Sequence, residues 1–140
     1  SKETWSKDCL KSIVSKTNDD GDLYNVSGTK IDGKVKVSSN GQDKSLPECI
    51  MTFAYWNPKI LEQKKLMNSQ DAEWLDVVTT NVGIEVRNIR EQKISTHHYK
   101  IQANKDGDEV FIIDVWYDDN MGLVGLRSPT PIGDLIYKLI

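Results

Sequence analysis

Residues 110–117 read Val-Phe-Ile-Ile-Asp-Val-Trp-Tyr, the most apolar candidate strand of the 140-residue chain. Such a run, broken only by Asp114, is typical of a strand near the centre of a sheet. With a period of two, one face carries Phe111, Ile113, Val115 and Tyr117, which we expect to be the core face. Asp114 and Trp116 would then point to solvent or into a concavity of the sheet.

Further strand patterns lie on both sides of this run. We place the candidate strands at 82–90, 93–103, 109–117 and 121–127. The connections Lys105-Asp106-Gly107-Asp108 and Asp118-Asp119-Asn120 are turn sequences. They are too short for crossover helices, which excludes a βαβ order. The second half of the chain therefore predicts a four-stranded antiparallel meander.

An earlier hairpin is predicted over residues 23–31 and 34–38. Asp32-Gly33 between the two strands suits a type I′ turn. This turn places Ile31 opposite Lys34 and Lys30 opposite Val35. One side of the ribbon would then carry Tyr24, Val26, Val35 and Val37.

Helices are predicted in the remaining segments. Residues 4–16 show apolar residues at spacings of three to five, which favours an amphipathic helix. Ser45-Leu46-Pro47-Glu48 resembles a capping box that opens a helix. Asn57 would cap another helix that runs from Pro58 to about Met67.

Two shorter helices complete the expected order. Ser69 would cap one that carries Trp74 and Leu75, although Val77-Val78 and Thr79-Thr80 make its end ambiguous with a strand. Thr130 would cap a closing helix. Its apolar positions are Ile132, Leu135, Ile136, Leu139 and Ile140. The sequence thus predicts an α+β fold in one domain over 1–140, with an early hairpin, the meander, and helices packed on one sheet face.

Composition excludes several classes of function. The net charge of −3 and the pI of about 5.4 argue against a broad nucleic-acid surface. The longest apolar runs have four or five residues, so no segment is expected to span a membrane.

Cys9 and Cys49 are the only cysteines. We expect both on apolar helix faces, either as inert buried thiols or as a disulfide formed in an oxidising compartment. A disulfide would close a loop of about 40 residues. We favour the disulfide, and with it a periplasmic or secreted location.

A candidate binding patch lies in the second half of the chain. Trp and Arg are frequent anchors at protein interfaces. We predict a patch formed by Trp116, Asp114, Arg87 and Arg90. The alternative is a scattered, solvated surface. Asp114 could also serve as an acid or base if an apolar pocket raised its pKa.

Motifs for metals, cofactors and catalysis are missing from the sequence. The acidic turns at 18–22 and 104–109 lack the first and twelfth ligands of a calcium-binding EF-hand loop. His97 and His98 would point to opposite faces of a strand, so they cannot ligate one metal together. We therefore expect no cofactor and no metal, and an enzymatic role is the less favoured reading.

These observations favour a small extracytoplasmic, non-enzymatic domain that binds another protein, such as an inhibitor or immunity-type protein. Helices before a curved meander resemble the nuclear transport factor 2-like (NTF2-like) cone fold. That resemblance implies the alternative, a small-molecule-binding protein or a small isomerase or hydrolase with a pocket on the concave sheet face. A third hypothesis is a structural subunit of a larger assembly, such as a homo-oligomer, since the closing helix would need a partner if it did not fold back.

Overall fold

The structure, a computed structural model, describes residues 2–19, 21–130 and 133–138. Within these ranges the chain is nearly all β, with eleven strands and one 3₁₀ turn at Pro58–Glu62. The strands are β1 (Lys2–Ser6), β2 (Cys9–Asp19), β3 (Asp22–Ile31), β4 (Lys34–Ser39), β5 (Gln42–Leu46), β6 (Lys65–Met67), β7 (Trp74–Ile89), β8 (Gln92–Lys105), β9 (Asp108–Tyr117), β10 (Leu123–Thr130) and β11 (Gly133–Lys138). The predicted α+β class with helices on one sheet face is therefore wrong.

The chain divides into two compact units. The first contains residues up to Ala54 together with Lys65–Leu75. Its five-stranded sheet has the order β1-β2-β3-β4-β5, and every neighbouring pair is antiparallel. Its buried core contains Leu10, Ile13, Val26, Val35, Val37, Leu46, Ile50, Met67 and Ala72.

The helix predicted over 4–16 is the hairpin of β1 and β2, and a β-bulge explains the error. Thr4 pairs with Ser12, whereas Trp5 pairs with Leu10, which leaves Lys11 as an extra residue on β2. The extra residue brings Leu10 and Ile13 to the same buried side at a spacing of three. A strand interrupted in this way matches the spacing of an amphipathic helix.

The early hairpin prediction is confirmed, including its register. Ile31 pairs with Lys34 and Lys30 pairs with Val35, while Asp32 and Gly33 adopt φ values of 51° and 75°. Val35 is fully buried on the predicted inner side.

The Cys9–Cys49 disulfide is present, but neither cysteine lies on a helix. Cys9 begins β2 and Cys49 lies in the irregular segment after β5. Beside the disulfide, Leu10 N donates to Ile50 O at 2.9 Å. The disulfide therefore joins β2 to a segment that has few regular backbone partners of its own.

The central helices are also absent, because their capping signals open short turns. Asn57 caps only the 3₁₀ turn, where its Oδ1 accepts from Lys59 N at 3.0 Å. The helix expected after Ser45 is an irregular extended segment. The helix expected after Ser69 is replaced by the start of β7, so Val77 to Thr80 belong to a strand.

The second unit contains Tyr55–Lys64 and the chain from Asp76 onward. The four predicted meander strands correspond to β7–β10, and β11 continues the antiparallel order. Within this unit the strands lie in the order β11-β10-β9-β8-β7. As expected, Ile113, Val115 and Tyr117 of β9 are buried.

The closing helix is wrong as well. β11 forms a strand in which Gly133 pairs with Thr130 and Lys138 pairs with Gly125. Short apolar runs cannot distinguish a strand from a buried helix. Ile132, Leu139 and Ile140, which the helix prediction used, lie outside the described residues.

Candidate functional site

Four strands of the second sheet carry a polar cluster on one face. We call it the Trp116 cluster, and its members are Glu85 and Arg87 from β7, His98 from β8, Asp114 and Trp116 from β9, and Arg127 from β10. Strand register places them side by side, because His98 pairs with Trp116 and Asp114 pairs with Arg127.

A bulge in β7 brings Glu85 to this face. Asn81 pairs with Tyr99 and Gly83 pairs with His98, so Val82 is the extra residue. The extra residue reverses the faces along β7, which turns Glu85 toward His98. Gly83 has a φ of 134°, a conformation that other residues rarely adopt.

Hydrogen bonds connect the cluster into one chain. Trp116 Nε1 donates to Glu85 Oε2 at 3.1 Å. His98 Nδ1 lies 2.9 Å from Glu85 Oε1, and His98 Nε2 lies 2.7 Å from Asp114 Oδ1. Arg127 Nη2 donates to Asp114 Oδ2 at 3.1 Å. The hydrogen bonds therefore run without a break from Trp116 through Glu85, His98 and Asp114 to Arg127.

The His98 ring lies between two carboxylates. An ionised carboxylate accepts hydrogen bonds and has no proton to donate. Each ring nitrogen of His98 lies within hydrogen-bond distance of a carboxylate oxygen, so the ring has no nitrogen left for a further partner.

Both carboxyl groups are stabilised in their ionised forms. The hydrogen bond from Trp116, followed by the one from His98, holds the pKa of Glu85 below its ordinary value. Burial alone would raise the pKa of Asp114, but the hydrogen bonds and charges of His98 and Arg127 outweigh it, so this pKa is also lowered. Neither group has the raised pKa that an acid catalyst at neutral pH requires.

Aromatic and cationic groups enclose Trp116. The His98 ring stacks on it with centroids 4.4 Å apart, and the Arg87 guanidinium carbon lies 4.3 Å from the ring centroid. Trp116 retains only 7% of its exposure. A Cβ at Gly125 would lie 3.2 Å from Trp116 Cε3 and 3.3 Å from Arg87 Nη1, so glycine provides the space for this contact.

Three of the four predicted binding residues, Trp116, Asp114 and Arg87, lie together in the cluster. Arg90 does not join them, because it lies exposed in the turn between β7 and β8 with a φ of 51°. Asp114 and Trp116 are buried, which excludes the first of the two alternatives for this face, that they point to solvent.

The two histidines separate as predicted. His98 is buried within the cluster, whereas His97 Nε2 lies 2.9 Å from Asp119 Oδ1 in a more exposed contact. Sequence reasoning missed Glu85 as a member, since only the bulge turns it inward. Within the described ranges, no group of three or more His, Cys, Asp or Glu residues has the arrangement of a metal site.

The opposite face of β7 carries exposed apolar side chains. We call Val82, Ile84 and Val86 the β7 row. Ile84 and Val86 are each 68% exposed, and Val82 is 45% exposed. They alternate with Glu85 and Arg87, so one strand segment has an anchored polar face and an exposed apolar face.

The same segment lies at the edge of its sheet. β8 pairs with β7 from Asp76 to Ile89. On the other side of β7, Val77 N donates to Lys64 O. This hydrogen bond lies before the β7 row in the sequence. Over the β7 row, the strand pairing in the described part of the chain is with β8, on one side of β7.

The described chain is nearly all β, with two antiparallel sheets and one disulfide, so the protein belongs to the all-β structural class. The chain belongs to the family described as "Domain of unknown function (DUF6134)", whose profile matches residues 1–140. No curated protein and no solved structure matches the chain. In the part of the chain that the structure describes, no helix is long and apolar enough to cross a membrane.

Proposed function

We propose that this chain is a non-enzymatic, extracytoplasmic protein-binding domain that contacts its partner through the edge of β7. The exposure of the β7 row on an edge strand is the observation that carries the proposal. Extended apolar edge strands readily accept another strand, because their backbone N–H and C=O groups are unpaired. An inhibitor or immunity-type protein is one form of such a domain.

The Trp116 cluster supports a binding role for this strand. Glu85 accepts hydrogen bonds from His98 and Trp116, and Arg87 rests on the Trp116 ring. These contacts hold β7 from its polar face while its apolar face stays in solvent. An edge held in one conformation loses less conformational entropy when a partner binds.

The same cluster argues against acid–base catalysis at this place. A general base needs a nitrogen or oxygen that can reach a substrate proton. Both ring nitrogens of His98 already bond to carboxylates, and Asp114 bonds to His98 and Arg127. Trp116 and Asp114 are covered by their neighbours, so the pocket expected on this sheet face is filled by side chains.

The Cys9–Cys49 disulfide supports the extracytoplasmic part of the proposal. Disulfides form and persist in oxidising compartments. The disulfide is compatible with a periplasmic or secreted protein.

Affinity capture with matched variants tests the proposal. The folded chain and the variant Ile84→Lys/Val86→Lys serve as baits in extracts and secreted fractions of the source. Leu23→Lys/Val110→Lys is the control, because it adds the same charge at two positions that are 66% and 51% exposed outside β7. We expect one stoichiometric partner that the control retains and the β7 variant loses.

Two outcomes contradict the proposal. A partner that both variants retain would bind elsewhere. Absence of any partner would favour a small ligand, and the groove on the first sheet would be screened next by thermal shift. That groove includes Ser27, Thr29, Lys36, Ser38 and Asp43.

A further inference from the structure

We propose that the partner of the β7 edge is β7 of a second copy of this chain, paired antiparallel about a two-fold axis at Val86. The inference rests on the proposed function, because it uses the same edge and names its occupant. It specifies the register of the pairing, which makes it testable at single residues.

Symmetry limits the registers that are possible. Residues directly opposite each other in an antiparallel pair point to the same face. A two-fold axis perpendicular to the sheet leaves equivalent side chains of the two copies on the same side of the joined sheet. Each allowed axis therefore passes beside one residue, which lies opposite its own counterpart in the second copy.

Charge selects one of these registers. An axis at Glu85 would place two carboxylates opposite each other, and an axis at Arg87 would do the same with two guanidinium groups. Like charges directly opposite destabilise a strand pair. An axis at Ile84 would place Val86 opposite Val82, the extra residue of the bulge.

An axis at Val86 avoids all three defects. It places Glu85 opposite Arg87 of the second copy and Arg87 opposite Glu85 of the second copy, so two opposite-charge pairs form on the polar face. Glu85 keeps 44% of its side-chain exposure, which leaves it accessible to this contact.

The apolar face gains contacts in the same register. Val86 lies opposite Val86 of the second copy, and Ile84 approaches this pair from each side. Both side chains are largely exposed in the single chain. Pairing removes them from water on one face while it joins the charges on the other.

Cysteine cross-linking tests the register directly. The chain has no free cysteine in the described ranges, and both of its cysteines form the Cys9–Cys49 disulfide, so an introduced cysteine is the only free thiol. In the proposed register, the Cα atoms at position 86 lie about 4.5–5.5 Å apart, within disulfide range. The two Ile84 positions lie about 13 Å apart, four residues along the strand.

We expect Val86→Cys to form a covalent dimer on mild oxidation, while Ile84→Cys and the control Val110→Cys form little covalent dimer. Sedimentation of the unmodified chain should show a dimer whose dissociation constant rises roughly tenfold or more in Val86→Lys. Cross-linking of Ile84→Cys in preference to Val86→Cys overturns the register. A monomer at about 0.5 mM with no cross-link at position 86 overturns self-pairing.

The two proposals fail separately. Capture of a different protein that depends on Ile84 and Val86, together with a monomeric Val86→Cys variant, overturns self-pairing and supports the binding surface. Efficient cross-linking of Val86→Cys without capture of another protein supports self-pairing and overturns a heterologous partner.

Discussion

His98 Nε2 lies 2.7 Å from Asp114 Oδ1, and both side chains retain less than a tenth of their exposure. This pair joins the central strands β8 and β9 at the middle of the Trp116 cluster. Glu85 extends it to the edge strand β7, and Arg127 extends it to β10. The cluster thereby connects the buried pair of His98 and Asp114 to the strand that we propose as the binding edge.

Asp114→Asn should lower the free energy of unfolding by about 3–5 kcal/mol, because it removes the buried carboxylate that bonds to His98 and Arg127. Urea unfolding at neutral pH measures the loss. Asp119→Asn is the control, since it removes the carboxylate that faces His97 in a pair where Asp119 is 71% exposed. A pair of this kind contributes about 1 kcal/mol or less. Equal losses in the two variants would refute the importance of the buried pair.

Stability should fall as the pH is lowered into the acid range. The pKa values of Glu85 and Asp114 are lower in the folded chain than their ordinary values. Their contribution is therefore fully present above the unfolded-state pKa values of about 4 and is lost as the pH falls through the folded-state values. Urea midpoints between neutral pH and pH of about 3 measure this loss.

The variant Glu85→Gln/Asp114→Asn provides the comparison for the pH series. Without the two carboxylates, its midpoint should be lower at neutral pH and should change less on acidification. The same acid dependence in the variant and the unmodified chain would assign the loss to other carboxylates.

Gly125→Ala should destabilise the chain by about 1–3 kcal/mol, as expected for an added methyl group in a packed site. The new Cβ would lie 3.2 Å from the Trp116 ring and 3.3 Å from the end of Arg87. The Arg87 side chain can move, but the ring is held by His98 and Glu85. Thermal unfolding measures the effect, and tryptophan fluorescence reports the displaced ring. An unchanged midpoint and spectrum would show that the site has spare volume.

Removal of the disulfide should cost about 4 kcal/mol in the chain-entropy treatment, because Cys9 and Cys49 are separated by 40 positions. Urea unfolding with and without a thiol reductant measures this difference. The variant Cys9→Ser/Cys49→Ser should match the reduced chain and show no response to the reductant. A reductant effect of similar size in that variant would place its origin elsewhere.

The sequence predicted the hairpin and the meander because their turns are explicit. Asp32-Gly33 determines one register, and short polar turns leave the late strands no alternative to antiparallel pairing. The buried face of β9 was also readable, since Ile113, Val115 and Tyr117 are buried as predicted, but Asp114 and Trp116 on the other face are buried too.

The helices were mispredicted in segments whose local helix signals, such as cap residues and apolar spacing, are overridden by pairing with distant strands. The bulge at Lys11 gives β2 a helix-like apolar spacing, and Asn57-Pro58 opens only a 3₁₀ turn. Cap residues and apolar spacing are local, whereas the partners that make these segments strands are distant in sequence. The first strands are stabilised by packing in the core of their sheet, where Ile13 is buried and Trp5 packs against the buried residues.

The candidate site was partly predictable from the alternation of side chains along the candidate strands. Asp114 and Trp116 stand out as neighbours on one strand face, and Arg87 lies on an adjacent candidate strand. The inward turn of Glu85 depends on the bulge at Val82, which no single-sequence period indicates. Arg90 was misplaced because the turn between β7 and β8 begins at that residue.

The central claim is that the edge of β7 binds protein, and quantitative capture with the two lysine double variants tests it most directly. We predict that Ile84→Lys/Val86→Lys loses the partner while Leu23→Lys/Val110→Lys retains it at the level of the unmodified chain. Equal retention by both variants, with both shown to be folded, would contradict the claim.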